Sequence, residues 1–214
     1  MSIAQRERAA LVDTLRAVGP DAPTLCEGWT TKDLAAHLAI REYRPDAAPG
    51  ILIPQLAAHT AKVQNEEAAR AAGPAGWDRL LGKIASGPPL YSPLKLLDAV
   101  VNVNEMFIHH EDVLRAQPDW APRTLDPDLA AKLRRGLPMM ARLTLAKVPG
   151  RVTLRTPDGA TVLTSGADKD QGPAVTVTGA PGELLLFASG RTAKVDFDGD
   201  PAAVQAVRDA RKGF

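Results

Sequence analysis

The chain has 214 residues, 45% apolar and 24% charged, which suits one large or two modest folded domains and excludes an intrinsically disordered chain. Its 26 basic and 25 acidic residues leave a net charge of +1, and only 4% of residues are aromatic. That balance lacks the electrostatic footprint and the stacking platforms of a nucleic-acid partner, and it offers an anionic membrane surface nothing to hold. One cysteine, Cys26, rules out an internal disulfide and a Cys-x-x-Cys knuckle, and a lone thiol suits a reducing compartment. The segment from Ser2 to Arg8 is charged where a signal peptide is apolar, and no apolar run approaches the ~20 residues that span a bilayer. The sequence therefore predicts a soluble, cytoplasmic protein.

In chain order, Ile3, Ala10, Leu11, Leu15 and Val18 recur at helical spacing and predict an amphipathic helix over 2–18, stopped by Gly19-Pro20. Thr30-Thr31-Lys32-Asp33 has the spacing of a capping box and opens a second helix that runs to Tyr43. A third helix is expected from Leu52 to Ala72, with Gly73, Pro74 and Gly76 breaking it, and a short one over Trp77–Ala85. The most apolar helix runs from about Ser92, with Pro93 at its first position, to Gln117, and belongs at the centre of a bundle. A further helix follows the Asp126 cap to about Lys147. After Pro149-Gly150 the texture changes to short alternating strands at 152–156, 161–163, 174–178 and 193–197, with helices at 183–188 and 201–211. Helices first and a small mixed unit afterwards imply an α+β protein of two domains, 1–120 and 121–214.

The chemistry concentrates on two helices. A stripe through Leu94, Leu97, Val101, Glu105, Ile108 and Asp112 sets Glu105 among apolar neighbours, and His109, four residues on, projects beside it. An unpaired carboxylate there costs several kcal/mol unless a partner or a cation compensates it. His37 lies between Leu34 and Ile40 on the second helix, and facing helices of an up-and-down bundle can bring ligands to one point. Two imidazoles and a carboxylate are a ligand set for zinc and related divalent ions, and three protein ligands leave coordination positions open. Asp112, one turn beyond His109, is placed to accept its second ring N–H. Against this stand plainer expectations: a Glu-x-x-x-His pair is common on helix surfaces, and a lone His37 is most often a hydrogen-bonded core residue. His110 is expected to be solvated or inter-domain, His59 exposed, and Cys26 a small buried hydrophobe, with a structural role near the site left open by its place just before the second helix.

The segment Leu25-Cys26-Glu27-Gly28-Trp29-Thr30-Thr31-Lys32-Asp33-Leu34-Ala35-Ala36-His37-Leu38, with Glu105-Met106-Phe107-Ile108-His109 far downstream, resembles the metal-binding domain of mycothiol-dependent maleylpyruvate isomerases. That resemblance implies a DinB-like four-helix bundle in which His37, Glu105 and His109 hold a divalent ion. The C-terminal part, with Gly182–Arg191 and Val195–Asp200, is similar to the family's second domain, a reduced relative of sterol carrier proteins. The second domain is short, and Ala188-Ser189 stands where the family has Trp before a Gly-Arg pair. The pair itself, Gly190-Arg191, is present, and the resemblance makes Arg191 the candidate contact for a substrate anion or a thiol.

What the resemblance implies is a divalent-metal protein, zinc first among the candidates. It would use mycothiol or another low-molecular-weight thiol in an isomerisation or thiol transfer on a small electrophilic or acidic substrate. The alternative is a non-catalytic, metal-containing module that binds a small ligand, and a third possibility is that the three polar residues simply pair with one another.

Overall fold

The structure, a computed structural model, describes residues 1–51, 53–92, 101–145, 148, 150–166 and 174–210, with the backbone alone for Val101, Leu143 and Ala210. The chain divides into two compact units, Met1–Arg123 and Thr124–Phe214.

The first unit is helical: α1 (Ile3–Val18), α2 (Thr31–Tyr43), α3 (Ala57–Arg70), α4 (Gly73–Ser86) and α5 (Val101–Leu114). Each start has a local cause. Ser2 and Gln5 form a capping box on α1, the Ser2 amide donating to Gln5 Oε1 at 2.8 Å. The Thr30 amide donates to Asp33 Oδ2 at 2.9 Å, which fixes the start of α2 and with it the register of His37. Helix α4 begins at Gly73, not at Trp77 as the spacing predicts, because Pro74 falls in the first turn, where its missing N–H costs nothing. The third helix starts later than expected: Pro54 opens a short 3-10 turn, Pro54–Leu56, and the α-helix follows only from Ala57. The expected stretch 93–100 of the central helix, and Leu52, lie outside the described residues.

Helix α1 packs against α5 and α4, and α2 against α3 and α4. Their shared core is apolar, with Leu11, Leu15, Leu34, Leu38, Leu81, Ile84, Met106 and Val113 buried. Charges inside this unit are paired. Arg8 grips Glu42 through both terminal guanidinium nitrogens, Nη1 at 2.8 Å, and Nη1 also donates to the Ile84 carbonyl at 2.9 Å. His110 is buried between α1 and α5, its Nδ1 2.8 Å from Glu7 Oε1 and its Nε2 2.9 Å from Thr14 Oγ1. The expectation of a solvated or inter-domain His110 is therefore corrected, since its polar partners stand on the neighbouring helix of its own unit. His59, with half its side chain exposed, is where it was expected.

The second unit holds α6 (Pro127–Leu145), β1 (Arg151–Arg155), β2 (Thr161–Ser165), β3 (Ala174–Thr178), α7 (Pro181–Ala188), β4 (Asp196–Gly199) and α8 (Pro201–Ala210). The sheet runs β2-β1-β3-β4, parallel between β1 and β3 and antiparallel elsewhere. Alternation buries Val152, Leu154, Val175 and Val177 on one face, while α6 contributes Leu133 and Leu137, and α7 packs on α6. The last strand is three residues further on than the alternation at 193–197 suggests. A mostly helical N-terminal region followed by a small mixed sheet with helices makes the chain α+β. No helix among the described residues is long and apolar enough to cross a membrane.

Candidate metal centre

Helices α2 and α5 deliver the predicted trio to one place. Ligand atoms of His37, Glu105 and His109 lie within 4.8 Å of one another. Glu105 Oε2 is 3.4 Å from His109 Nε2, which is about the edge of a tetrahedron with ~2.1 Å bonds to a central ion. The rings of His37 and His109 meet edge to face, their centroids 5.3 Å apart. The other nitrogen of His109, Nδ1, is 3.1 Å from Asp112 Oδ2, so a fully buried carboxylate orients the ring and turns Nε2 toward Glu105.

The loop before α2 closes over this pair. The Leu25 amide donates to the Asp112 carbonyl at 2.9 Å and ties the loop to α5. The Cys26 thiol then reaches Asp112 Oδ2 at 3.3 Å, and Cys26, His109 and Asp112 form a second close trio that shares His109. Cys26 is only partly buried, packs against the apolar core, and stands near the site, a placement that the sequence left open. Gly28, with φ of +75°, permits the turn that carries Trp29 to the ring of His37, centroid to centroid 5.1 Å.

The surroundings of Glu105 are more polar than its apolar stripe suggests. Its side chain keeps 27% exposure, and Arg41 Nε stands 3.8 Å from its Oε2. Arg41 in turn donates from Nη1 to Asn102 Oδ1 at 2.7 Å. Gln64 of α3 is buried beside His37 and weakly favours its charged form. None of Arg41, Asn102, Gln64 and Trp29 is singled out by the metal-ligand pattern. Yet Arg41 is four residues from His37 and Asn102 three from Glu105, so the same helical spacing places them on the ligand faces.

These neighbours set the protonation states. Burial, then repulsion from His109, lowers His37 to about 4, with the Arg41 charge adding to the effect and Glu105 opposing it. Burial favours a neutral Glu105, but the His109 hydrogen bond and the charges of Arg41, His109 and His37 prevail and hold it at about 2. Burial likewise opposes a charged His109, yet hydrogen bonds with Asp112, Cys26 and Glu105 raise it well above its ordinary value. The donor set thus presents a neutral imidazole, a carboxylate, and an imidazole whose proton an ion must displace. These donors suit a borderline divalent cation such as zinc.

Arg191 belongs to the second unit. It follows α7, donates from Nη1 to the Ser189 carbonyl at 2.8 Å, and lines an open depression of about 370 Å³ with Phe197 and Arg208.

A helical unit carrying a candidate metal centre, continued by a small α/β unit, defines the class of protein. Residues 2–114 match the family model of the mycothiol maleylpyruvate isomerase N-terminal domain. The chain belongs to that family. Among solved structures it is similar to the crystal structure of the mycothiol-dependent maleylpyruvate isomerase, with a TM-score of 0.55 and 14% identity over 92% of this chain and 90% of that one. A histidine-to-alanine mutant of the mycothiol-dependent isomerase superposes with a TM-score of 0.49 and 13% identity over the same shares of the two chains. At such identities the likeness concerns the fold. No curated protein matches the chain.

Proposed function

We propose that the protein binds one divalent ion through His37, Glu105 and His109 and acts as a mycothiol-dependent isomerase or thiol transferase on a small electrophilic or acidic substrate. The observation that carries this is the convergence of the three ligand atoms within 4.8 Å, with Asp112 on the far nitrogen of His109, in a chain of this family. A bound ion would supply Lewis acidity, lowering the pKa of a thiol or water at an open coordination position. The residues do the rest. Asp112 fixes the His109 ring, Trp29 packs against the His37 ring, and Glu105 offsets part of the ion's charge. Arg191 is the proposed contact for an anionic group of the thiol or substrate. The cytoplasm, where such a thiol stays reduced, is the fitting compartment.

The test is turnover of maleylpyruvate and of generic electrophiles by fully metallated protein with and without mycothiol. Activity should need both metal and thiol, and Arg191→Ala should raise the apparent KM for thiol or substrate while metal content stays intact. Metallated protein that turns over none of these, but binds a small apolar ligand, would favour the non-catalytic binding module.

A further inference from the structure

Arg41 lies one turn beyond His37 on α2 and shares its face. Its side chain is 9% exposed, and among the described residues its charge meets a single acid, Glu105, at 3.8 Å. Beyond the Nη1 bond to Asn102, its N–H groups make no hydrogen bond among the described residues. A guanidinium kept this dry beside a cation site works against the cation, because like charges a few ångströms apart repel strongly where water is scarce. Glu105 is the one anionic ligand of the trio. With a divalent ion bound and His109 deprotonated, the ion and Arg41 would set three positive charges against the carboxylates of Glu105 and Asp112, leaving one uncompensated. A pocket so charged favours an anionic ligand over a neutral one. The planar fork of N–H donors matches a carboxylate better than it matches a spherical anion or a sulfur.

We propose that Arg41 receives a carboxylate of the ligand that enters the site, so that the protein selects carboxylates able to reach the ion and Arg41 together. This rests on the metal site proposed above and adds to it the residue that would receive the carboxylate of an acidic ligand. Asn102 is the positioning residue, holding the guanidinium by Nη1.

The experiment uses full-length protein loaded with cobalt(II), metal content verified, and titrated separately with malonate and with 2-mercaptoethanol while visible absorption is followed. Arg41→Met should weaken malonate about tenfold or more, change 2-mercaptoethanol by less than about twofold, and hold cobalt at least as tightly as the parent. Asn102→Asp, nearly isosteric, would set an internal carboxylate on Nη1. It should weaken malonate in the same direction and serves as the test if Arg41→Met does not fold. Unchanged malonate affinity in a loaded variant overturns the role of Arg41 and leaves the metal site standing. Parent protein that takes up no cobalt overturns both.

Discussion

Metal uptake near neutral pH should release about one proton per ion, and apparent affinity should rise about tenfold per pH unit, or ~1.4 kcal/mol. The count follows from the pocket. His37, lowered to about 4 by burial and by His109, is already neutral. Glu105, held at about 2 by the histidines and Arg41 against the effect of burial, is already ionised. His109 alone carries a proton that the ion must displace, since its bonds with Asp112, Cys26 and Glu105 outweigh burial. Calorimetry in buffers of different ionisation enthalpy, across about pH 6 to 8, gives the proton count directly. Affinity should level off above the His109 titration, and Asp112→Asn, which removes the carboxylate at 3.1 Å, should bring that plateau to lower pH. The metal-free protein should behave differently. Stability from the raised His109 is complete below its ordinary 6.5 and lost as pH climbs through the folded value. The depressed His37 removes stability as pH falls from 6.5 toward about 4. Stability from Glu105 is present above 4.5 and lost as pH falls through about 2. The cluster's contribution to metal-free stability should therefore be greatest near its histidines' ordinary pKa. Release of no proton would show that His109 is neutral or not a ligand; release of two would show that His37 enters protonated.

Alanine at His37, Glu105 or His109 should each strip the ion, as elemental analysis of the purified variants would show, and full occupancy in Glu105→Ala would remove that residue from the site. His110→Ala should keep the ion but lose about 1–3 kcal/mol in denaturant titrations, because Glu7 and Thr14 lose a buried partner. Lost metal with intact stability would mean that the wrong histidine of the pair had been chosen. Chelation, with metal loss verified, should lower the Tm by several degrees, in line with a binding contribution of about 2 kcal/mol or more. An unchanged melting curve would mean that Arg41 and His109 compensate Glu105 fully without an ion.

The convergence of His37, Glu105 and His109 was legible because helical periodicity is a local rule. The capping box at Thr30 sets the register of α2, and four-residue spacing sets Glu105 beside His109 and His109 near Asp112. What one helix cannot reveal is the chemistry of the helix packed against it. His110 lies off the stripe and looks solvated until α1 supplies Glu7 and Thr14. The apolar neighbours of Glu105 on its own helix likewise concealed Arg41, which arrives from α2. In the second unit, short alternating runs locate strands but not their ends. Pairing with β3 decides that β4 is Asp196–Gly199, with Phe197 opposite Val177. The helix after Pro54 shows the reverse error, in which a continuous pattern hid a proline that the backbone had to respect.

The most direct measurement is the metal content of tag-free protein from metal-replete medium, beside His37→Ala and His109→Ala prepared in the same way. About one divalent ion per chain in the parent, and none in either variant of comparable stability, is the expected result. A folded parent free of metal, or variants that hold the ion as the parent does, would contradict the assignment of His37, Glu105 and His109 as a metal centre.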